Sequence, residues 1–148
     1  MLEPGATLPS LTVHDDTGAE ISTHDLLGTQ LVLYFYPKDD TWGCTKEATQ
    51  FREEYEKFRR KGAELVGVSR DTVESHRLFK EKYLIPFRLL SDVESKLCDA
   101  FGVIVDENIY GKNAIQRSTF LFDASGTLVR VWPKVTVLGH AEEVLKAL

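Results

Sequence analysis

Cysteine is scarce in this chain, with two residues in 148, and no Cys-x-x-Cys pair occurs. The two-thiol motif of disulfide oxidoreductases is therefore absent, and four histidines (His14, His24, His76 and His140) that nowhere pair at ligand spacing give no metal site. No glycine-rich loop leads into a Lys-Ser or Lys-Thr pair, so nothing is built to cradle phosphates and no organic cofactor is implied. Long apolar runs are missing as well. The longest is Leu31 to Tyr36, far short of the ~20 residues of a membrane helix. An excess of positive charge is also lacking: 18 basic against 23 acidic residues give a net charge of −5, which argues against an unaided nucleic-acid binder. The one basic cluster, Arg59-Arg60-Lys61, reads as a solvated helix end favoured by the helix dipole. Glu3 and Pro4 interrupt the N-terminal stretch before any apolar segment, so no export signal is recognised there. Few cysteines without an export signal point to a reducing cytoplasmic compartment, where a cysteine is more often catalytic than structural.

What is present describes one α/β domain over residues 1–148. A chain of this length buries roughly 70% of the surface its unfolded form exposes, so its core needs neither a disulfide nor a metal. The organising stretch is Leu31 to Thr45. Leu31-Val32-Leu33-Tyr34-Phe35-Tyr36 has the length and the β-branched and aromatic content of a strand buried on both faces, and Pro37 marks where the chain leaves the sheet. From Lys46, the spacing of Ala48, Phe51, Tyr55 and Phe58 makes one apolar helical stripe that breaks at Gly62. Cys44 thus sits at a helix start, where unpaired N–H groups and the dipole stabilise a thiolate over a thiol.

Around this centre, Leu8–Val13 and Glu20–Ser22 flank the turn residues Asp15-Asp16-Thr17-Gly18 and predict an N-terminal hairpin. Glu64–Ser69 predicts a strand and Val73–Tyr83 a helix. This alternation gives parallel strands whose C-terminal ends gather the active-site loops. A third helix is expected over Asp92–Phe101, with Val93, Leu97, Ala100 and Phe101 apolar, a cap at Ser91 or Asp92 and a stop at Gly102. Cys98 lies beside its stripe. Asp106–Gln116 has little periodicity and reads as a surface loop. Ser118–Phe122 and Leu128–Trp132 flank a hairpin turn, and Glu142–Leu148 closes the chain as a helix.

Pro37, Thr41 and Cys44 form the pattern Pro-x-x-x-Thr-x-x-Cys, which resembles the active-site signature of peroxiredoxins. Tyr36-Pro37-Lys38-Asp39, Gly43-Cys44-Thr45-Lys46-Glu47, Gly67-Val68-Ser69, Ser75-His76, Leu89-Leu90-Ser91-Asp92 and Arg117-Ser118-Thr119-Phe120 extend the likeness to the bacterioferritin-comigratory, or PrxQ, branch over nearly the whole chain. The resemblance implies a thioredoxin-like fold, a mixed sheet flanked by helices with an N-terminal β-hairpin extension. It also implies a thiol peroxidase that reduces hydrogen peroxide and organic hydroperoxides and is recycled by thioredoxin or a similar thiol reductant, as a monomer.

Cys44 would be the peroxidatic nucleophile. Thr41 would hydrogen-bond the peroxide or the sulfur, and Pro37 would shield the thiolate from water. Arg117 would stabilise both the thiolate and the charge spreading along the O–O bond. Two positions depart from the branch. Trp42 replaces the usual proline and either covers the pocket or packs on its neighbours. Thr49 stands where many members carry a resolving cysteine. The remaining thiol, Cys98, is the expected resolving cysteine, because some members place theirs on a later helix. The alternative is a one-cysteine enzyme that uses an external thiol and keeps Cys98 structural. A non-enzymatic thioredoxin-fold sensor, oxidised at Cys44 without turnover, is the competing class.

Overall fold

The computed structural model describes residues 1–148. Its centre is the apolar run, strand β3 (Gln30–Phe35), in which alternation sends Val32 and Tyr34 to one face and Leu31, Leu33 and Phe35 to the other. All of these side chains are fully buried, so the sheet must be covered on both sides. Helix α1 (Trp42–Arg60) carries the chain from β3 to the parallel strand β4 (Ala63–Ser69). Helix α2 (Val73–Tyr83) then carries it to a further parallel strand, β5 (Arg88–Ser91). Two late strands, β8 (Ser118–Phe122) and β9 (Leu128–Trp132), add antiparallel to the other side of β3. The N-terminal hairpin, β1 (Thr12–Asp15) and β2 (Glu20–Ser22), pairs antiparallel onto β5. The sheet therefore runs β2-β1-β5-β4-β3-β8-β9. This is the mixed, thioredoxin-like arrangement with an N-terminal hairpin that the sequence predicts.

The two sheet faces are covered by different elements. Cys44, Ala48, Phe51 and Phe58 of α1, with Phe79 of α2, fill the layer on the Tyr34 face. The last helix, α4 (His140–Ala147), joins them through Ala141, Val144 and Leu145. The Phe35 face is closed by helix α3 (Lys96–Phe101), through Leu97, Cys98 and Phe101, and by Leu8 and Val13 near the N terminus.

Four readings of the sequence need correction. The first strand begins at Thr12 rather than Leu8. Leu8 is buried, but its backbone pairs with Gly126 at the far end of the sheet instead of with the hairpin. Strand β5 was not foreseen, because four residues between two loops carry too little pattern.

Residues 106–116, read as a loop, belong to a separate hairpin of β6 (Ile104–Asn108) and β7 (Gly111–Ile115). Only Ala114 and Ile115 among its strand residues are buried, which is why no period was visible. Finally, α3 starts at Lys96 rather than Asp92, and Val93 and Ala100 are exposed. The Asp92 carboxylate still caps it, accepting from the N–H groups of Leu97 (3.0 Å) and Cys98 (2.8 Å) across an intervening turn.

Candidate active site

The site forms where β3 ends and α1 begins. Pro37 follows the strand, Thr41 is the N-cap residue of α1, and Cys44 is the third residue of the helix, inside its first turn. Cys44 is only 1% exposed. Arg117, immediately before β8, reaches across from the neighbouring strand, and its backbone carbonyl is fixed by accepting from the Val135 N–H at 3.0 Å. One guanidinium nitrogen, Nη2, donates to the Cys44 Sγ at 3.4 Å and to the Tyr110 hydroxyl at 3.2 Å. The other, Nη1, donates to Glu47 Oε1 at 2.7 Å. Glu47 is three residues beyond Cys44, one turn along the same helix face, and is itself 1% exposed.

Gly43 makes this approach possible. A Cβ there would lie 3.0 Å from Arg117 Nη2 and 3.2 Å from the Tyr110 hydroxyl, so a side chain would push the guanidinium away from the helix terminus. Burial raises the Glu47 carboxyl to about 7, although Arg117 pulls it back down. Burial works against charge on Arg117, but Glu47 and Cys44 outweigh it and hold the guanidinium firmly protonated. The second Glu47 oxygen, Oε2, has no hydrogen-bond partner. The result is a charged group held by its partners with a spare donor face aimed at sulfur, the preorganised arrangement that stabilises developing negative charge.

Thr41 sits as the sequence predicts, but its hydroxyl donates to the Lys38 carbonyl at 2.8 Å rather than to the sulfur. Its oxygen is left to accept a hydrogen bond. Pro37, Thr41, Trp42, Gly43, Tyr110 and Arg117 line part of an open depression of about 590 Å³. Trp42 is 75% exposed and is among the residues that line the depression, so it does not seal it. Pro37, Thr41, Cys44 and Arg117 are thus gathered in one place.

Cys98 is not among them. It is fully buried in the layer on the opposite face of the sheet, and burial followed by the Asp92 carboxylate pushes its thiol far above the usual range. Both cysteines are free.

Sequence reasoning missed the roles of Glu47 and Tyr110. An acidic residue one turn after Cys44, on a helix face that turns inward, was the available signal for Glu47. Tyr110 had none, because it lies at the tip of the β6–β7 hairpin that patterning did not reveal. A second buried cluster lies beside the site, where Asp39, Asp71 and His76 come within 4.8 Å of one another. Their polar atoms are committed to each other and to neighbouring N–H and O–H groups, which makes the cluster a hydrogen-bonded ion-pair network rather than an open ligand set.

A thioredoxin-like sheet that presents a buried thiol at a helix N-terminus, with a buried arginine held against it, defines a cysteine-dependent peroxidase. Comparison with known proteins agrees: residues 4–131 match the AhpC/TSA family, and the chain belongs to that family. It is 45% identical to peroxiredoxin Bcp of Bacillus subtilis, over 99% of this chain and 95% of that one. It is 46% identical to peroxiredoxin Bcp of Xanthomonas campestris, over 98% and 91%. Among solved structures, a cysteine-to-serine mutant of Xylella fastidiosa PrxQ superposes with a TM-score of 0.94 at 38% identity, over 99% of this chain and 95% of that one. The bacterioferritin comigratory protein of Xanthomonas campestris, solved in work on its alkyl peroxide reduction activity, matches with a TM-score of 0.88 at 42% identity and 96% coverage of both. The chain is a peroxiredoxin of the Bcp/PrxQ kind, a thiol peroxidase that acts on hydroperoxides and is returned to its thiol form by a thiol reductant.

Proposed function

We propose that Cys44 is the peroxidatic residue and that Arg117, Thr41 and Pro37 complete the catalytic set. The observation that carries this is the Arg117 guanidinium held 3.4 Å from Sγ at the N-terminus of α1. The Cys44 thiolate attacks the terminal oxygen of a hydroperoxide. An S–O bond forms with two electrons from sulfur, the O–O bond breaks, and the departing oxygen takes a proton to leave as water or an alcohol. Cys44 becomes a sulfenic acid. The N–H groups of the first helical turn and the Arg117 guanidinium face the charge that spreads from sulfur onto oxygen. Thr41 Oγ accepts the hydrogen bond of the peroxide O–H, and Pro37 keeps water from the thiolate.

For the second half of the cycle, the sequence favours resolution by Cys98. That route requires the first turn of α1 and helix α3 to unfold locally, since a disulfide needs Cα atoms within about 7 Å and these two thiols belong to opposite layers. A second reading, favoured by that placement, is that an external thiol attacks the sulfenic acid and Cys98 stays in the core. In either case thioredoxin is the proposed reductant, the enzyme works as a monomer, and its compartment is the cytoplasm.

The test is peroxide consumption with a thioredoxin system, followed by intact-mass and peptide analysis after one equivalent of peroxide. Loss of two hydrogens and a peptide joining Cys44 to Cys98 establishes the internal disulfide. A sulfenic acid or an adduct of the external thiol on Cys44, with Cys98 still alkylatable, establishes the one-cysteine route. Failure to consume peroxide would remove the catalytic assignment.

A further inference from the structure

The loop between β3 and α1 carries Pro37 and Thr41, yet neither residue holds it in place. That work falls to Asp39, which is 8% exposed and enclosed by polar partners from four directions. Its Oδ1 accepts from the Tyr36 hydroxyl at 2.6 Å, and its Oδ2 accepts from Ser75 Oγ at 2.8 Å. Its backbone N–H donates to Asp71 Oδ2 at 2.9 Å. Nδ1 of the fully buried His76, on α2, lies 2.7 Å from Asp39 Oδ2. The other ring nitrogen, Nε2, lies 2.9 Å from the Leu90 carbonyl of β5.

A carbonyl can only accept, so Nε2 carries a proton. The Asp39 oxygens already receive O–H donors from Tyr36 and Ser75, as a carboxylate does, so the short contact to Nδ1 carries a proton on the ring as well. An imidazolium satisfies both ring contacts, and the charged groups that face it are Asp39 from the loop and Asp71, two residues beyond β4. The remaining neighbours are neutral: the Tyr36 hydroxyl of β3, the Leu90 carbonyl of β5, and Ser75 and Phe79 on α2.

We propose that the buried Asp39–His76⁺ pair is a positioning device for the peroxidatic site, locking the loop from Tyr36 to Thr41 so that Thr41 and Pro37 stand correctly over Cys44. The link is short. Lys38, whose carbonyl orients the Thr41 hydroxyl, directly precedes Asp39. The next residue, Asp40, is also tied to α2, accepting from Tyr83 (2.6 Å) and Lys82 (2.8 Å), and its backbone lies in the left-handed region at φ 57°. That exposed tie holds only the outer edge of the loop. Loss of either ring proton would leave a lone pair facing an oxygen, the Asp39 carboxylate at 2.7 Å or the Leu90 carbonyl at 2.9 Å, and loosen the inner anchor. Burial opposes the charge on His76, but the Asp39 hydrogen bond and charge, with the Leu90 carbonyl, hold its pKa above the ordinary value of 6.5. The anchor is thus complete below the ordinary histidine value and weakens as the pH climbs through the raised one.

This inference rests on Cys44 being the reactive thiol, and two measurements keep the claims apart. In the wild-type protein labelled with ¹⁵N at histidine, the His76 ring should show both nitrogens protonated at pH 6. A neutral ring at that pH would overturn the proposal. In stopped-flow oxidation by hydrogen peroxide, His76→Leu should slow the second-order reaction of Cys44 by about tenfold or more. His76→Asn, whose amide can donate to Asp39 without titrating, should recover most of the rate and lose the alkaline decline of the wild type. Equal rates in the three folded proteins would overturn it, as would equal losses in both variants with an unchanged pH profile. A wild-type Cys44 inert to peroxide would contradict the catalytic assignment, and the ring spectrum would still decide the state of His76.

Discussion

At the scale of single residues, the proposed chemistry depends on one sulfur and the charge held against it. Cys44→Ser removes the nucleophile and almost no volume, so peroxide reduction should be abolished while circular dichroism and melting stay near wild type. Arg117→Ala should slow Cys44 oxidation by two orders of magnitude or more, about 2.7 kcal/mol of transition-state stabilisation. Arg117→Lys should recover only part, because an ammonium cannot hold Glu47 and face sulfur with two separate nitrogens.

Glu47 adds a pH dependence whose sign is fixed. Its carboxyl titrates at about 7 in the fold against 4.5 when free, so the folded protein holds the proton more tightly. The corresponding stability is fully present below pH 4.5 and is lost as the pH rises to about 7. Glu47→Gln should flatten the fall in melting temperature between pH 5 and 7, a difference of a few kcal/mol at most. An identical slope in the variant would show that Arg117 keeps Glu47 ionised throughout.

At the scale of elements, the helix that carries Cys44 was the most legible part of the chain. The stripe Ala48, Phe51, Tyr55 and Phe58 predicted its course, and a buried six-residue run predicted the strand before it, because a long buried element leaves a strong period in sequence. The β6–β7 hairpin left none. Its tip is solvated, yet it delivers Tyr110 to Arg117, so part of the site comes from an element with no hydrophobic signature. Spacing placed Cys44 at a helix start but could not show that Gly43 leaves room for the guanidinium. Gly43→Ala should therefore slow peroxide reaction severalfold while changing stability little, since alanine suits a helix better than glycine and the new methyl presses on Arg117 and Tyr110. A rate equal to wild type would mean that the guanidinium shifts without cost.

At the scale of the whole molecule, the two-faced sheet decides what chemistry is easy. A surface depression adjoins the first turn of α1, which carries Cys44, whereas Cys98 is a full layer away behind β3. Sequence order hid this. Two cysteines 54 positions apart look available to each other until alternation along the strands assigns their helices to opposite faces. The fold class and the group Pro37, Thr41, Cys44 and Arg117 were readable because local pattern and family likeness both point to them. The separation of the thiols, Glu47 under Arg117 and the Asp39–His76 anchor depend on long-range packing that no local pattern records.

The most direct measurement is the stopped-flow rate of the first oxidation step, in wild type and Arg117→Ala, with the modified residue identified by peptide mass. The account predicts rapid single-phase oxidation, one oxygen or its disulfide product at Cys44 alone or with Cys98, and a rate lower by a hundredfold or more without the guanidinium. Equal rates in the two proteins, or a first oxidation at Cys98, would contradict it.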